Sequence, residues 1–218
     1  MEPTEARAPL KRSELTRLLA GLRGFSRPDA RSEQIVTPAE EASSLLWEAL
    51  MRGDLAGRKV LDLGCGTGTL AIGAAFLGAE SVLGVDADAK ALGVARENAA
   101  SVGVKVTWVE ARLTEPVSGP SRWGADTVVM NPPFGAQKKH ADRPFLEEAA
   151  LAVTPGEGGA VYLLANGASQ AFIERWSIAR HLTIEDRRRS TWPLPPTLPH
   201  HREARGRVEV DRWILRRR

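Results

Sequence analysis

Along the 218-residue chain, short, largely apolar runs alternate with longer stretches in which apolar residues recur every three or four positions. The first rhythm belongs to strands buried on both faces, the second to helices with one buried face. Leu15, Leu18, Leu19 and Leu22 follow helical spacing and predict a short helix over 13–22. Gly24, Pro28 and polar neighbours then predict a connecting segment, so residues 1–30 read as an N-terminal helix and linker and 31–218 as the main domain. Thr37-Pro38-Ala39-Glu40 predicts a helix start, with Thr37 as N-cap, Pro38 at the first helical position and Glu40 closing a capping box. Leu45, Leu46, Ala49 and Leu50 carry that helix towards Gly53. Beyond it, strands are predicted at 59–63, 81–85, 104–109, 126–130 and 159–164, and helices at 69–77, 89–101, 145–153 and 168–180. Such alternation implies right-handed crossovers and a mostly parallel sheet covered on both faces. Two last strands, 183–192 and 207–216, are joined by a proline-rich loop without a helix and predict an antiparallel pair at the sheet edge.

Composition narrows the class. The hydrophobic share of 43% and charged share of 26% are those of an ordinary globular protein. No apolar run approaches membrane-spanning length, and Met1 to Arg12 is charged and proline-interrupted rather than signal-like. A single cysteine, Cys65, excludes an internal disulfide framework and fits a reducing compartment, so the cytoplasm is the expected location. Four scattered histidines and one thiol show no metal-ligand spacing, and no metal is expected. The net charge of +3 is spread unevenly: from Arg175 onward there are 12 arginines, 5 acids and no lysine. Arginine forks suit phosphate oxygens, so this end can follow a nucleic-acid backbone; a solvated arginine-rich face is the alternative.

The turn after the first strand carries the first chemistry. Val60-Leu61-Asp62-Leu63-Gly64-Cys65-Gly66-Thr67-Gly68 runs a buried strand into three alternate glycines and then a helix. Glycines there allow a tight turn and close approach of a ligand. The spacing is not the G-x-G-x-x-G of a pyrophosphate site, and Asp62 lies two residues before it. An acid at that place repels phosphate but suits the positively charged amino end of S-adenosylmethionine. Asp86 ends the next strand, where a carboxylate can accept both hydroxyls of a ribose. The expected cofactor is S-adenosyl-L-methionine.

Asn131-Pro132-Pro133-Phe134 follows the fourth strand. Ligands in such sheets bind at the carboxyl ends of the strands, so this loop faces the cofactor. A base amine is a poor nucleophile because its lone pair is delocalised into the ring. The Asn131 side-chain carbonyl and the Pro132 backbone carbonyl can each accept one of its N–H bonds and turn the lone pair towards a donor methyl. Pro133 fixes the loop, and Phe134 offers a face on which a flipped base stacks. Asn-Pro-Pro is also good turn chemistry, and a merely rigid turn is the competing reading. Together with the cofactor loop and the final hairpin, the pattern predicts a Rossmann-like class I methyltransferase with a mostly parallel seven-stranded sheet.

These stretches resemble the methyltransferase-like 5 group of small-subunit ribosomal RNA adenine methyltransferases and their archaeal relatives. The resemblance spans about Leu15 to Arg212. It is most specific at Glu33-Gln34-Ile35-Val36-Thr37, at Asp62 to Gly68, in the run MNPPFGAQKKHADRPFLEEA and at Val208-Glu209-Val210-Asp211. It implies that Gln34 and Thr37 close over the cofactor and that Gly64, Thr67 and Asp86 contact it; Asp62 and Gly66 of the glycine turn complete the candidate cofactor-binding set. The family usually has an Asp after the third strand to receive the cofactor's adenine amine. Here Arg112 stands at that place, with the backbone of Leu113 as its substitute. Near the family's basic lip lie His200, His201 and Arg202, which with Arg187, Arg188 and Arg189 form the candidate RNA-binding set. Family members commonly work with a small zinc-containing activator subunit that covers an exposed sheet edge.

The expected reaction is methylation of the 6-amino group of an adenosine in structured RNA, with Asn131, Pro132, Pro133 and Phe134 as the catalytic set. Two rivals stand beside it. A protein glutamine amide presents the same planar NH₂, although the enzymes that use it carry Asn-Pro-Pro-Tyr and an extra N-terminal domain. A non-catalytic RNA-binding subunit on the same scaffold would have no need of both loops.

Overall fold

The structure is a computed structural model that describes residues 10–26, 33–113, 121, 123–135, 139–154, 158–193 and 207–217. The boundary expected at residue 30 lies outside these. Two helices lead the chain, α1 (Arg12–Ala20) and α2 (Ala39–Met51). Then β1 (Lys59–Leu63), α3 (Thr69–Phe76), β2 (Ser81–Asp86), α4 (Ala89–Val102), β3 (Thr107–Glu110) and β4 (Thr127–Met130) follow. The chain continues with α5 (Arg143–Ala152), β5 (Ala160–Asn166), a 3₁₀ turn (Gly167–Ser169), α6 (Gln170–Ala179), β6 (Leu182–Pro193) and β7 (Arg207–Arg217).

The seven strands form one sheet in the order β3-β2-β1-β4-β5-β7-β6. The pairings from β3 to β5 are parallel, and β7 runs antiparallel between β5 and β6. The final hairpin forms one end of the sheet, as expected: β7 pairs with β5 and β6 is the outer strand. Alternation along each strand sends side chains to two cores. Val60, Val129, Tyr162, Leu164, Val210 and Ile214 pack on α1, α2 and α3. Leu61, Leu63, Val128, Met130, Leu163 and Trp213 pack on α5 and α6. In α1, Leu15 and Leu19 are buried in the first core, and each contributes about 1.5–3 kcal/mol. The N-terminal helix is thus part of the same packing unit as α2 and α3. No helix among the described residues is long and apolar enough to cross a membrane.

Two local expectations are corrected. Thr37 does not cap α2: Pro38, at φ −55° and ψ 138°, holds the N-cap position without a side-chain cap bond, and the helix starts at Ala39. The Thr37 hydroxyl is engaged elsewhere, and Glu40 falls too early in the helix to close a capping box. The third strand begins at Thr107 rather than Val104, because α4 ends on left-handed Gly103 and the Val104 N–H bonds back to the Ala99 carbonyl.

Candidate active site

The carboxyl ends of β1 to β4 open onto one cleft of about 1340 Å³, where ligands of open α/β sheets bind. Its floor is the turn from β1 into α3. Gly64 and Gly66 take φ of +73° and +53°, and a Cβ there would lie 2.9 Å from the Phe145 ring or 2.8 Å from the Phe25 ring. Glycine is required at both for conformation and for space. The Gly66 N–H donates to Asp86 Oδ2 at 2.8 Å and the Asp88 N–H to Oδ1 at 2.9 Å. Each oxygen keeps a second lone pair for a hydroxyl. Burial raises the Asp86 pKa against the lowering effect of these N–H groups.

Asp62 is 1% exposed. Its Oδ2 accepts the Ala71 N–H at 2.9 Å, at the start of α3, and its Oδ1 has no hydrogen-bond partner. Burial pushes its pKa up to about 8, against the Ala71 N–H and with some help from Asp86. An orphaned buried acceptor is costly unless a ligand completes it. An ammonium group there would supply both the missing donor and the countercharge, so the residues fit a nucleoside cofactor that carries an amino-acid end. Thr67 is buried, and its backbone carbonyl accepts from Asn98 Nδ2 at 3.0 Å.

The far end of the cleft is bordered by Gln34, Arg112 and Leu113. Gln34 Nε2 donates to Asp88 Oδ2 at 2.7 Å. Burial works to raise the Asp88 pKa, but the bonds from Gln34 and the Lys90 N–H outweigh it and hold the carboxyl below its usual range. Arg112 is exposed and Leu113 half-buried, on a segment fixed by the Ala111 N–H bonding to the Asp86 carbonyl at 2.9 Å.

On the β4 side, Asn131 Nδ2 donates to Thr37 Oγ1 at 3.0 Å, while Asn131 Oδ1 is buried and has no partner. The amide is pinned by its nitrogen and presents its carbonyl. The Phe134 N–H donates to Glu33 Oε2 at 2.7 Å. The Phe134 ring lies 6.2 Å from the Trp192 ring, centroid to centroid, at 50°. Since Trp192 lies one residue before the end of β6, the final hairpin stands beside the acceptor loop.

The arginine run is divided by strand alternation. Arg187 and Arg189 share one face and both bond the fully buried Asp211, at 3.0 and 2.7 Å. Burial acts to raise the Asp211 pKa, but these two guanidinium groups outweigh it and hold it low. Arg189 also bonds Glu209 and the Gly167 carbonyl, and Arg187 lies over the Trp213 ring. Arg188 faces the other way, 2.9 Å from Asp186, with its side chain 60% exposed. His200, His201 and Arg202 lie outside the described residues.

Several residues that shape the site do so through partners that no local window of sequence contains. Trp192 reaches Phe134 across 58 positions, and Glu33 reaches it across 101. Phe25 and Phe145 are ordinary apolar residues until the glycines lie under them. Asp88 was legible in principle, two residues after Asp86 and at the cap of α4.

A glycine turn with an orphaned carboxylate, a strand-end Asp and a facing Asn-Pro-Pro-Phe loop on this sheet define a Rossmann-like methyltransferase. Residues 37–174 match the methyltransferase small domain. The chain is 31% identical over 203 residues to the Caenorhabditis elegans rRNA N(6)-adenosine-methyltransferase metl-5, covering 89% of this chain and 92% of that protein. The chain belongs to the methyltransferase small-domain family and, within it, to the METTL5 group. A Methanocaldococcus jannaschii relative is 36% identical over 174 residues, 77% of this chain and 76% of its own. A Pyrococcus horikoshii crystal structure described as a candidate RNA methyltransferase superposes with a TM-score of 0.83 at 35% identity, covering 95% and 98% of the two chains.

Proposed function

We propose that the chain methylates the 6-amino group of an adenosine in structured RNA, namely small-subunit ribosomal RNA, with S-adenosylmethionine as donor. The reading rests on the named METTL5 relatives and on one observation above all: Asn131 Oδ1 is buried, unpaired and held in place through Thr37. A buried carbonyl that lacks a donor is suited to take one N–H of a base amine.

S-adenosylmethionine would supply an electrophilic methyl group on a positively charged sulfur. Asp62 would hold its ammonium and Asp86 its ribose hydroxyls. Gly64, Gly66 and Thr67 would lie under it, Gln34 and Thr37 over it, and Arg112 and Leu113 beside the adenine. Asn131 and the Pro132 carbonyl would take the two amine protons in hydrogen bonds and direct the nitrogen lone pair at the methyl. Pro133 would keep that carbonyl in place, and Phe134, backed by Trp192, would stack the base. Most of the rate then comes from in-line positioning.

RNA would approach over the hairpin strand that carries Arg187, Arg188 and Arg189; His200, His201 and Arg202, in the sequence between β6 and β7, are the other proposed contacts. The proposed compartment is the cytoplasm. A small zinc-containing activator, as the family resemblance implies, would cover an open sheet edge; β3 and β6 are the edges among the described strands.

Asn131→Ala tests the reading directly. Methylation should fall by about a hundredfold or more, as expected for lost alignment, while calorimetry shows cofactor affinity almost unchanged. Equal loss of both would assign Asn131 to the fold instead.

A further inference from the structure

The acceptor loop has an unusual shortage of backbone donors. Pro132 and Pro133 have no N–H, so after Asn131 the first amide that can pin the loop is that of Phe134. That amide donates to Glu33 Oε2 at 2.7 Å, a short bond to a charged acceptor. Glu33 itself takes φ +51°, a left-handed conformation uncommon for a residue with a side chain and persistent only where its surroundings enforce it. The next residue, Gln34, donates to Asp88, whose other oxygen caps α4 two residues beyond Asp86. Three residues further on, Thr37 holds Asn131. One short strap thus touches the ribose side of the cleft, the acceptor amide and the loop that carries the stacking ring.

We propose that Glu33 is a positioning residue for the acceptor loop, and that with Gln34 it links closure over the cofactor to the placement of Phe134. The kinetic part rests on the methyltransferase reading above; the structural part does not. Glu33 acts as a hydrogen-bond acceptor for a backbone amide and not as a proton acceptor from substrate. Glu33→Gln, which keeps an acceptor oxygen and loses the charge, therefore retains its function, whereas Glu33→Ala loses it.

The experiment uses the full chain labelled with ¹⁵N-phenylalanine. Hydrogen exchange at the Phe134 amide should speed up about tenfold or more in Glu33→Ala and change little in Glu33→Gln. In the wild type, S-adenosylhomocysteine should slow that exchange further, and in Gln34→Ala this slowing should be lost even at ligand concentrations that calorimetry shows to be saturating. In methylation assays, Glu33→Ala should lower kcat about tenfold with cofactor affinity little changed, and Glu33→Gln should restore most of it. Unchanged Phe134 exchange in Glu33→Ala overturns the proposal. So does a Glu33→Gln variant that keeps the amide protected but is as inactive as Glu33→Ala, since that is the behaviour of a catalytic base. If Glu33→Ala does not fold, the wild type, Glu33→Gln and Gln34→Ala still decide between link and no link. If the wild type methylates no RNA adenosine, the functional reading fails while the exchange measurements still decide the role of Glu33.

Discussion

On the β1–β2 side of the cleft, the two carboxylates meant for the cofactor find their backbone partners over short stretches of chain. Asp62 bonds a residue 9 positions on, and Asp86 bonds Gly66, 20 positions back. On the β4 side, Asn131 depends on a hydroxyl 94 positions away and Phe134 on a carboxylate 101 positions away. The first half is a strand–turn–helix unit with its chemistry built in. The second is a loop whose chemistry exists only after α2 and the 33–37 strap have docked on it. Damage to the local half should therefore act on cofactor alone, and damage to the assembled half on transfer.

The largest effect that would break this division is on cofactor affinity. Asp86→Ala removes the acceptor for two ribose hydroxyls and should weaken binding by about a hundredfold or more, as hydrogen bonds to a charged group are worth about 1.5–3 kcal/mol each. At saturating cofactor, transfer should recover to within a few-fold. A kcat that stays low at saturation would mean the halves are not separable.

A smaller effect, on pH dependence, sharpens the assignment of Asp62. Its folded pKa is raised to about 8 from 3.8, so in the free protein it is largely protonated at neutral pH. An incoming ammonium favours the charged carboxylate, so binding should release a proton from Asp62. Affinity should rise between pH 6 and 8, by about tenfold per unit at most, the limit for one linked proton. Above that range deprotonation of the cofactor's own amino group, with a pKa of about 8, reverses the trend. Calorimetry in buffers of different ionisation enthalpy reads the proton release, and Asp62→Asn should abolish it.

The smallest effect concerns the hairpin. Arg188 has the most exposed side chain of the run, and Arg187 and Arg189 are committed to Asp211. Arg188→Ala should flatten the log–log salt dependence of RNA binding by about 0.7, the value for one contact to a single strand. Arg187→Ala should leave the slope alone and lower the melting temperature, because Asp211 loses one of its two partners. The reverse pattern would make Arg187 the RNA contact and Arg188 a bystander.

The same division decides what was legible in the sequence. The strands at 59–63 and 81–85 stood out as short, largely apolar runs, and the Asp62–Gly68 turn needed no distant partner to be read. Thr37 was misread because a Thr before a Pro is good capping chemistry; its hydroxyl is taken by Asn131, which no local window contains. Val104 looked like strand because it is β-branched, but its N–H completes the end of α4. Period-two alternation along β6 splits the three arginines between two faces. The buried Asp211 that holds two of them becomes visible only once β7 is placed beside β6.

Delivery of a methyl group from this cleft to the 6-amino nitrogen of an RNA adenosine is directly measurable. It is tested by incubating the chain with isotopically labelled S-adenosylmethionine and small-subunit ribosomal RNA, then digesting to nucleosides for mass spectrometry. Label is expected in N(6)-methyladenosine from the wild type, and about a hundredfold less or lower from Asn131→Ala. Label at another base position, or only on a protein glutamine amide supplied in parallel, would contradict it.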